Sequence, residues 1–390
     1  MGGGTWRRGA GLGLLLGALA GCQGACEAPG PPEEQPIPHV ERQPGRVEDV
    51  ETNHPMTNAA VITRPDGKTV LVASLVTSGQ LLVIEPGGAQ QRLELPRGAL
   101  AGVYPCTGGA LTLESTGRHA IVLGFDGAAL VERAAIEVGA TPRVAEVLPD
   151  GNTAWVLARG EARPIVHADL AAHTVLAATV AGDTPVDLEL GPGGDWLYVA
   201  NLASADISVI AAQGSEVSVS IPVAPSPWRL FAAPATATVE RDRLYVLHAN
   251  SPTLTAIDTR RRLRELSRDL DAVPSKVAIS ASGAYIYALA PGAGRLTLLD
   301  ASNLATIATH EVPVGSSDLA VVGDGLRAWV LVSTGDRGEL WVFRVEGESL
   351  RRVATPSLEA AAGRIAATPD GAHVWLIGPR TGRVARFALE

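Results

Sequence analysis

The chain is poor in the residues that carry chemistry. Its 390 residues include three cysteines and eight histidines, and the histidines are scattered. There is no Cys-x-x-Cys-His for haem, no His-Glu-x-x-His, no Gly-x-Ser-x-Gly and no phosphate-binding loop. His167 and His173 are the nearest histidine pair. They sit six residues apart across an expected strand and turn, which is poor metal spacing. No cofactor or metal is expected. Lysine is scarcer still, with Lys68 and Lys276 alone against 30 arginines, and the net charge is −9. Such an acidic chain lacks the basic footprint that nucleic acid requires, which excludes that partner. Aromatic residues make up only 4% of the chain, so where they stand is informative.

What is abundant is glycine, and its placement is periodic. Gly67, Gly109, Gly151, Gly194, Arg241, Gly283, Gly325 and Gly371 follow one another at gaps of 42, 42, 43, 47, 42, 42 and 46 residues. Four of them complete a Pro-x-Gly turn, at Pro65, Pro149, Pro192 and Pro369. Proline presets the turn, and glycine takes the left-handed position at no steric cost. Four residues after each marker comes a large apolar residue: Leu71, Leu113, Trp155, Tyr198, Tyr245, Tyr287, Trp329 and Trp375. Six of the eight are aromatic, as expected of strands pressed between two neighbouring sheets. A second apolar run follows each, such as Ile207-Ser208-Val209-Ile210, and another strand precedes each turn, such as Val186 to Leu190. A period in the forties with four strands per unit describes a β-propeller blade. The fold expected is therefore all-β, a single propeller of eight four-stranded blades.

Three units depart from the pattern. In blade 2, Gly117 to Ile121 offers an alternative turn and strand to Gly109. Blade 5 is long around Ala235 to Thr238, and its segment Arg260 to Leu266 has leucines at helical spacing with Leu270, which suggests a short helix in place of a strand. The arginines of that segment read as a solvated face. The last unit stops after Leu389 and Glu390, one strand short. An uncovered edge invites aggregation. The segment His39 to Val50, with Val40, Val47 and Val50, is expected to supply the missing strand and close the ring.

Blade 4 reads Gly191-Pro192-Gly193-Gly194, then Tyr198-Val199-Ala200-Asn201, then Asp206-Ile207-Ser208-Val209-Ile210 and Ile221-Pro222-Val223. This resembles the YVTN-type β-propeller repeat, with Ala200 at the Thr position; Tyr245-Val246-Leu247-His248 is a fair second match. The resemblance implies a propeller from about residue 40 onward. Such repeats occur in surface proteins, periplasmic binders and lactonase-like enzymes, and their best-known members have seven blades. It therefore leaves seven open as the alternative count.

Arg7-Arg8 precedes an apolar stretch from Gly9 to Ala20, too short to span a bilayer and of signal-peptide form. Leu19-Ala20-Gly21-Cys22 resembles the bacterial lipobox. That resemblance implies cleavage after Gly21, lipidation of Cys22 and, because Gln23 follows rather than Asp, an outer-membrane address. The domain plan is then a lipoprotein signal peptide at 1–21, a Pro/Gly-rich tether at 22–38 and the propeller at 39–390. Cys26 and Cys106 remain, free to pair in an oxidising compartment.

One constellation of charge stands out. Seven residues before the markers, on the expected innermost strands, are Ala60, Gly102, Val144, Asp187, Arg229, Lys276, Asp318 and Arg364, with blade 5 aligned on Pro234. Two residues further on are Ile62, Tyr104, Glu146, Glu189, Phe231, Ala278, Ala320 and Ala366. Five consecutive blades direct Asp187, Arg229, Lys276, Asp318 and Arg364 toward the channel or the seams at its mouth. They form either a ring of inter-blade ion pairs or a site for an anionic or zwitterionic ligand at the mouth lined by blades 4 to 8. Function is expected to be non-catalytic: a lipid-anchored envelope protein acting as a binding or scaffold protein, with an envelope protein or a small polar ligand as partner. The alternative is a lactonase-like hydrolase, favoured if Glu146, Glu189 and Arg229 cluster at one channel mouth with raised carboxylate pKa values.

Overall fold

The computed structural model describes residues 45–51, 56–75, 79–235, 242–322, 329–334, 338–346, 349–356, 363–368, 370–378 and 380–389. Cys22 and Cys26 lie outside them. Eight sheets, each of four antiparallel strands, follow one another along the chain as blades 1 to 8. The innermost strands run Met56–Thr63, Leu100–Cys106, Pro142–Val147, Pro185–Leu190, Pro227–Ala232, Lys276–Ile279, Ser316–Val322 and Arg364–Ala367. Seven blades take their four strands in sequence order. Blade 8 takes its outermost strand from Gly45–Glu51, which pairs antiparallel with Arg383–Ala388. The ring is closed from the N-terminal side, as the missing strand requires.

The repeat exists because each turn and each strand agree locally. Gly151 and Gly194 turn the chain at φ +68° and +73°, and the next strand buries nearly every side chain. Trp155, Tyr198, Tyr245, Tyr287 and Trp375 are all but completely buried as the third residue of the second strand in blades 3, 4, 5, 6 and 8. Each packs between two sheets, so burial of its ring stabilises a blade and a seam together, by about 1.5–3 kcal/mol per large side chain. Their polar ends tie consecutive blades. Trp155 Nε1 donates to the Ala212 carbonyl at 2.9 Å, and the Tyr198 hydroxyl donates to the Thr259 carbonyl at 3.0 Å. Asn201, the last residue of the Tyr-Val-Ala-Asn stretch, is fully buried and donates to Ser208 Oγ at 2.9 Å and Asp206 Oδ1 at 3.1 Å, locking its hairpin.

Several expectations change in detail. In blade 2 the tight turn is Thr107–Gly108 and Gly109 opens the second strand, so Leu111, not Leu113, holds the repeat position; the alternative start is ruled out because His119 opens the third strand. In blade 7 Trp329 opens its strand, which moves the repeat position to Leu331, while Gly325 lies outside the described residues. Leu263–Asp269 is a strand, not a helix. Pairing with Thr253–Asp258 satisfies its backbone along one edge and half-buries Leu266 against the core, which leaves Leu263 44% exposed. The extra length of blade 5 falls mostly on residues 236–241, outside the described residues. In blade 1 the register pairs Val61 with Leu71 and Ala59 with Ala73, so Val61 and Ala59 replace Ile62 and Ala60 as ring members.

Candidate functional site

A cavity of about 780 Å3 lies where the inner strands begin. Its wall comes from the first residues of inner strands, including Asn58, Arg143, Asp187, Trp228, Arg229, Lys276 and Arg364, and from Arg159, Leu202 and Ala249 just past the second strands. The mouth therefore opens on the face opposite the marker-glycine turns.

Blades 3, 4 and 5 enter the channel by one shared device. Thr141, Thr184 and Ser226 take φ +47°, +58° and +57° immediately before Pro142, Pro185 and Pro227. A β-bulge follows at once, between Pro142 and Val144, between Pro185 and Asp187, and between Pro227 and Arg229. A left-handed non-glycine residue costs on the order of 1 kcal/mol. The bulge puts Arg143, Val186 and Trp228 out of the ladder and re-aims them, and all three line the cavity.

Deeper in, a belt of four side chains sits at one register. Opposite the third residue of the second strand stand Tyr104, Glu146, Glu189 and Phe231 on blades 2 to 5, and all four line the cavity. The same register on blades 6, 7, 8 and 1 holds Ala278, Ala320, Ala366 and Val61, which do not line it. The site is lopsided, with polar and aromatic groups on four consecutive blades and small apolar ones on the others. Gly102 makes room for the belt. At φ +73° it lies under the Tyr104 ring, and a Cβ there would come within 2.3 Å of that ring.

Burial raises the pKa of all three carboxylates at the site. Glu189 accepts the Ala232 N–H at 3.1 Å, yet removal from water, with Asp187 beside it, pushes its pKa up to about 8. Glu146 has no hydrogen-bond partner among the described residues, and burial together with Glu189 and Asp187 raises it well above the usual range. Asp187 is raised to about 6 by burial, although the N–H groups of Leu230 (2.9 Å) and Leu188 and the charge of Arg229 pull the other way. Burial pushes the Tyr104 hydroxyl up to about 12. The charge of Arg229 reaches Asp187 without a direct ion pair. Arg143, Arg159, Arg229 and Arg364 line the cavity and make no ion pair among the described residues.

The five charged residues singled out in the sequence divide between two roles. Asp187, Arg229, Lys276 and Arg364 stand on the cavity wall, whereas Asp318 stands behind Lys276. Asp318 is a seam residue: Lys276 of blade 6 pairs with it, and it accepts the Ile365 N–H of blade 8 at 2.8 Å. Asp187 links blades 4 and 5 in the same way while also facing the cavity. The wall is not confined to blades 4 to 8, because blades 2 and 3 supply Tyr104, Arg143, Glu146 and Arg159. Arg143 and Arg159 escaped the sequence reading. The signal for the first was the repeated Thr-Pro-Arg, Thr-Pro-Val and Ser-Pro-Trp at residues 141, 184 and 226. Cys106 ends an inner strand with no disulfide partner among the described residues, and burial raises its thiol to about 11; the expected bridge to Cys26 falls partly outside the described residues. His167 is stacked on Trp155 at 4.4 Å, a packing role. No group of three His, Cys, Asp or Glu side chains among the described residues is placed to hold a metal ion.

No family model and no curated protein matches this chain. Solved structures do. Sqt1 of Saccharomyces cerevisiae has a TM-score of 0.68 at 12% identity, covering 89% of this chain and 100% of that one. BamB of Moraxella catarrhalis has a TM-score of 0.60 at 12% identity, again covering 89% of this chain and 100% of that one. Likeness at such identity shows the fold alone. The chain is an eight-bladed β-propeller with a lopsided, charged channel mouth.

Proposed function

We propose that this propeller is a lipid-anchored envelope protein that binds a small polar ligand at its channel mouth without transforming it. One observation carries the reading: four guanidinium groups with no ion-pair partner among the described residues converge on a cavity of about 780 Å3. Unpaired arginines on a concave wall are donors held ready for an anion, and a cavity of that size suits a small molecule. Among the described residues that line it there is no Ser, Thr, Cys or His to act as a side-chain nucleophile. Placement in the envelope rests on Arg7-Arg8, the apolar run after it and the lipobox-like Leu19 to Cys22.

A hydrolase is the second reading, and a specific observation favours it. Glu146, Glu189 and Arg229 share the mouth, and both glutamates are raised toward neutrality, as a general acid–base pair requires. The test is turnover of a panel of lactones by the full chain and by Glu146→Gln and Glu189→Gln. The binding reading expects no turnover above buffer. Turnover that either substitution abolishes would replace it with the hydrolase.

A further inference from the structure

The geometry points to a zwitterionic ligand, a primary amine whose ammonium enters the Tyr104–Glu146–Glu189–Phe231 belt while its anionic end reaches the arginines at the rim. This rests on the channel-mouth binding reading and adds the ligand's class and orientation. Two acidic side chains flanked on either side by an aromatic ring, at one depth on four consecutive blades, form a cradle for a cation. Glu146 is held by nothing else among the described residues, and Glu189 bonds one backbone N–H through Oε1. An ammonium has three donors to offer them and neutralises a pair of like charges that otherwise share protons.

The anionic end is placed by the same strands. Arg229 precedes Phe231 by two residues on one strand, a rise of about 7 Å. Arg143 stands at the bulge three residues before Glu146. A ligand whose ammonium and carboxylate are about 7 Å apart spans the two layers. A dipeptide or a five-carbon ω-amino acid meets that condition, whereas the two charges of a single α-amino acid lie closer together. A pure dianion would use the arginines and leave the belt idle.

The two kinds of ligand give opposite pH dependences. The charged and titratable groups facing the cavity are Tyr104, Arg143, Glu146, Arg159, Asp187, Glu189, Arg229, Arg364 and Lys276, the last paired with Asp318. Between pH 6 and pH 8 Glu189, raised to about 8, gives up much of its proton, while Tyr104, raised to about 12, keeps its own. An amine ligand gains a partner over that range; a dianion gains a repulsion.

The experiment is calorimetric titration of the full chain with 5-aminovalerate, glycylglycine, glycine, n-pentylamine and glutarate at pH 6 and pH 8. We expect 5-aminovalerate and glycylglycine to bind more tightly than the other three, and more tightly at pH 8 than at pH 6. Glu146→Gln should weaken 5-aminovalerate roughly 10–100-fold, the loss of one charge-assisted hydrogen bond, without weakening glutarate. The wild-type pH series needs no variant to fold. Glutarate binding that Arg229→Ala removes, with no advantage for the amines, would overturn this inference and keep the channel mouth as a binding site. Amine binding that weakens from pH 6 to pH 8 would overturn it as well. Silence from all five probes would sink both readings.

Discussion

Glu189 is pulled two ways: the Ala232 N–H stabilises its charge, while removal from water and the neighbouring Asp187 oppose it, and the opposition wins. Its pKa of about 8 lies above the ordinary 4.5, so the folded chain holds a proton that the unfolded chain has released. Stability from this group is full below about pH 4.5 and falls as pH rises to about 8, and Asp187 adds a smaller loss between about 4 and 6. Thermal denaturation should show Tm falling by a few degrees from pH 5 to pH 8. Glu189→Gln should flatten that slope, and a wild-type Tm independent of pH would refute the account. Gly102 gives a second test at this scale. Gly102→Ala meets both a left-handed φ and the Tyr104 ring, whereas Gly67→Ala meets only φ +82° in open space. The first should cost about 2–4 kcal/mol and the second about 1, measured by denaturant unfolding. Equal costs would mean the ring moves freely aside.

Inner strands show how one residue type serves seams and site at once. Asp318 is 4% exposed and holds an N–H of blade 8 and the Lys276 ammonium of blade 6. Asp318→Ala leaves a part-buried donor and a cation without their acceptor, and should destabilise by about 2–4 kcal/mol. Lys276→Ala should cost about 1 kcal/mol, since its side chain is 34% exposed and water replaces the partner. Arg229→Ala should leave Tm within a degree or two, because Arg229 makes no ion pair among the described residues. If Arg229→Ala melts lower than Lys276→Ala, the division between seam and site charges is wrong. This division was not legible in the alternation Asp, Arg, Lys, Asp, Arg. A run of signs along the ring looks the same whether neighbours pair or not, and only contact distances separate Lys276–Asp318 from Arg229.

At the scale of the whole molecule the ring is held shut by seven residues. Gly45–Glu51 pairs with Arg383–Ala388 over six residue pairs, joining the two ends of the propeller. Deleting 45–51 should expose that edge, abolish a single cooperative unfolding transition and promote aggregation, read by calorimetry and light scattering. A deletion variant that stays monomeric with an unchanged Tm would show that the ring closes without it. The proposed envelope address is tested at the same scale. Cys22→Ala should leave unprocessed precursor and abolish labelling by a radioactive fatty acid, and unchanged labelling would exclude Cys22 as the anchor.

The architecture is written locally, which is why it could be read from the chain. A Pro-x-Gly turn, a buried aromatic four residues on and a period near 42 residues specify a blade without reference to any other, and the short last unit demands a strand from elsewhere. The site is not written locally. Tyr104, Glu146, Glu189 and Phe231 are about forty residues apart in the chain and become one belt only when four blades stand around an axis. Their depth and aim also depend on the bulges after Pro142, Pro185 and Pro227, each of which shifts the pairing by one residue. Because strand side chains alternate with a period of two, a one-residue shift exchanges the two faces of a strand. Charge at the mouth could therefore be counted in the sequence, but which charges meet was decided by tertiary structure.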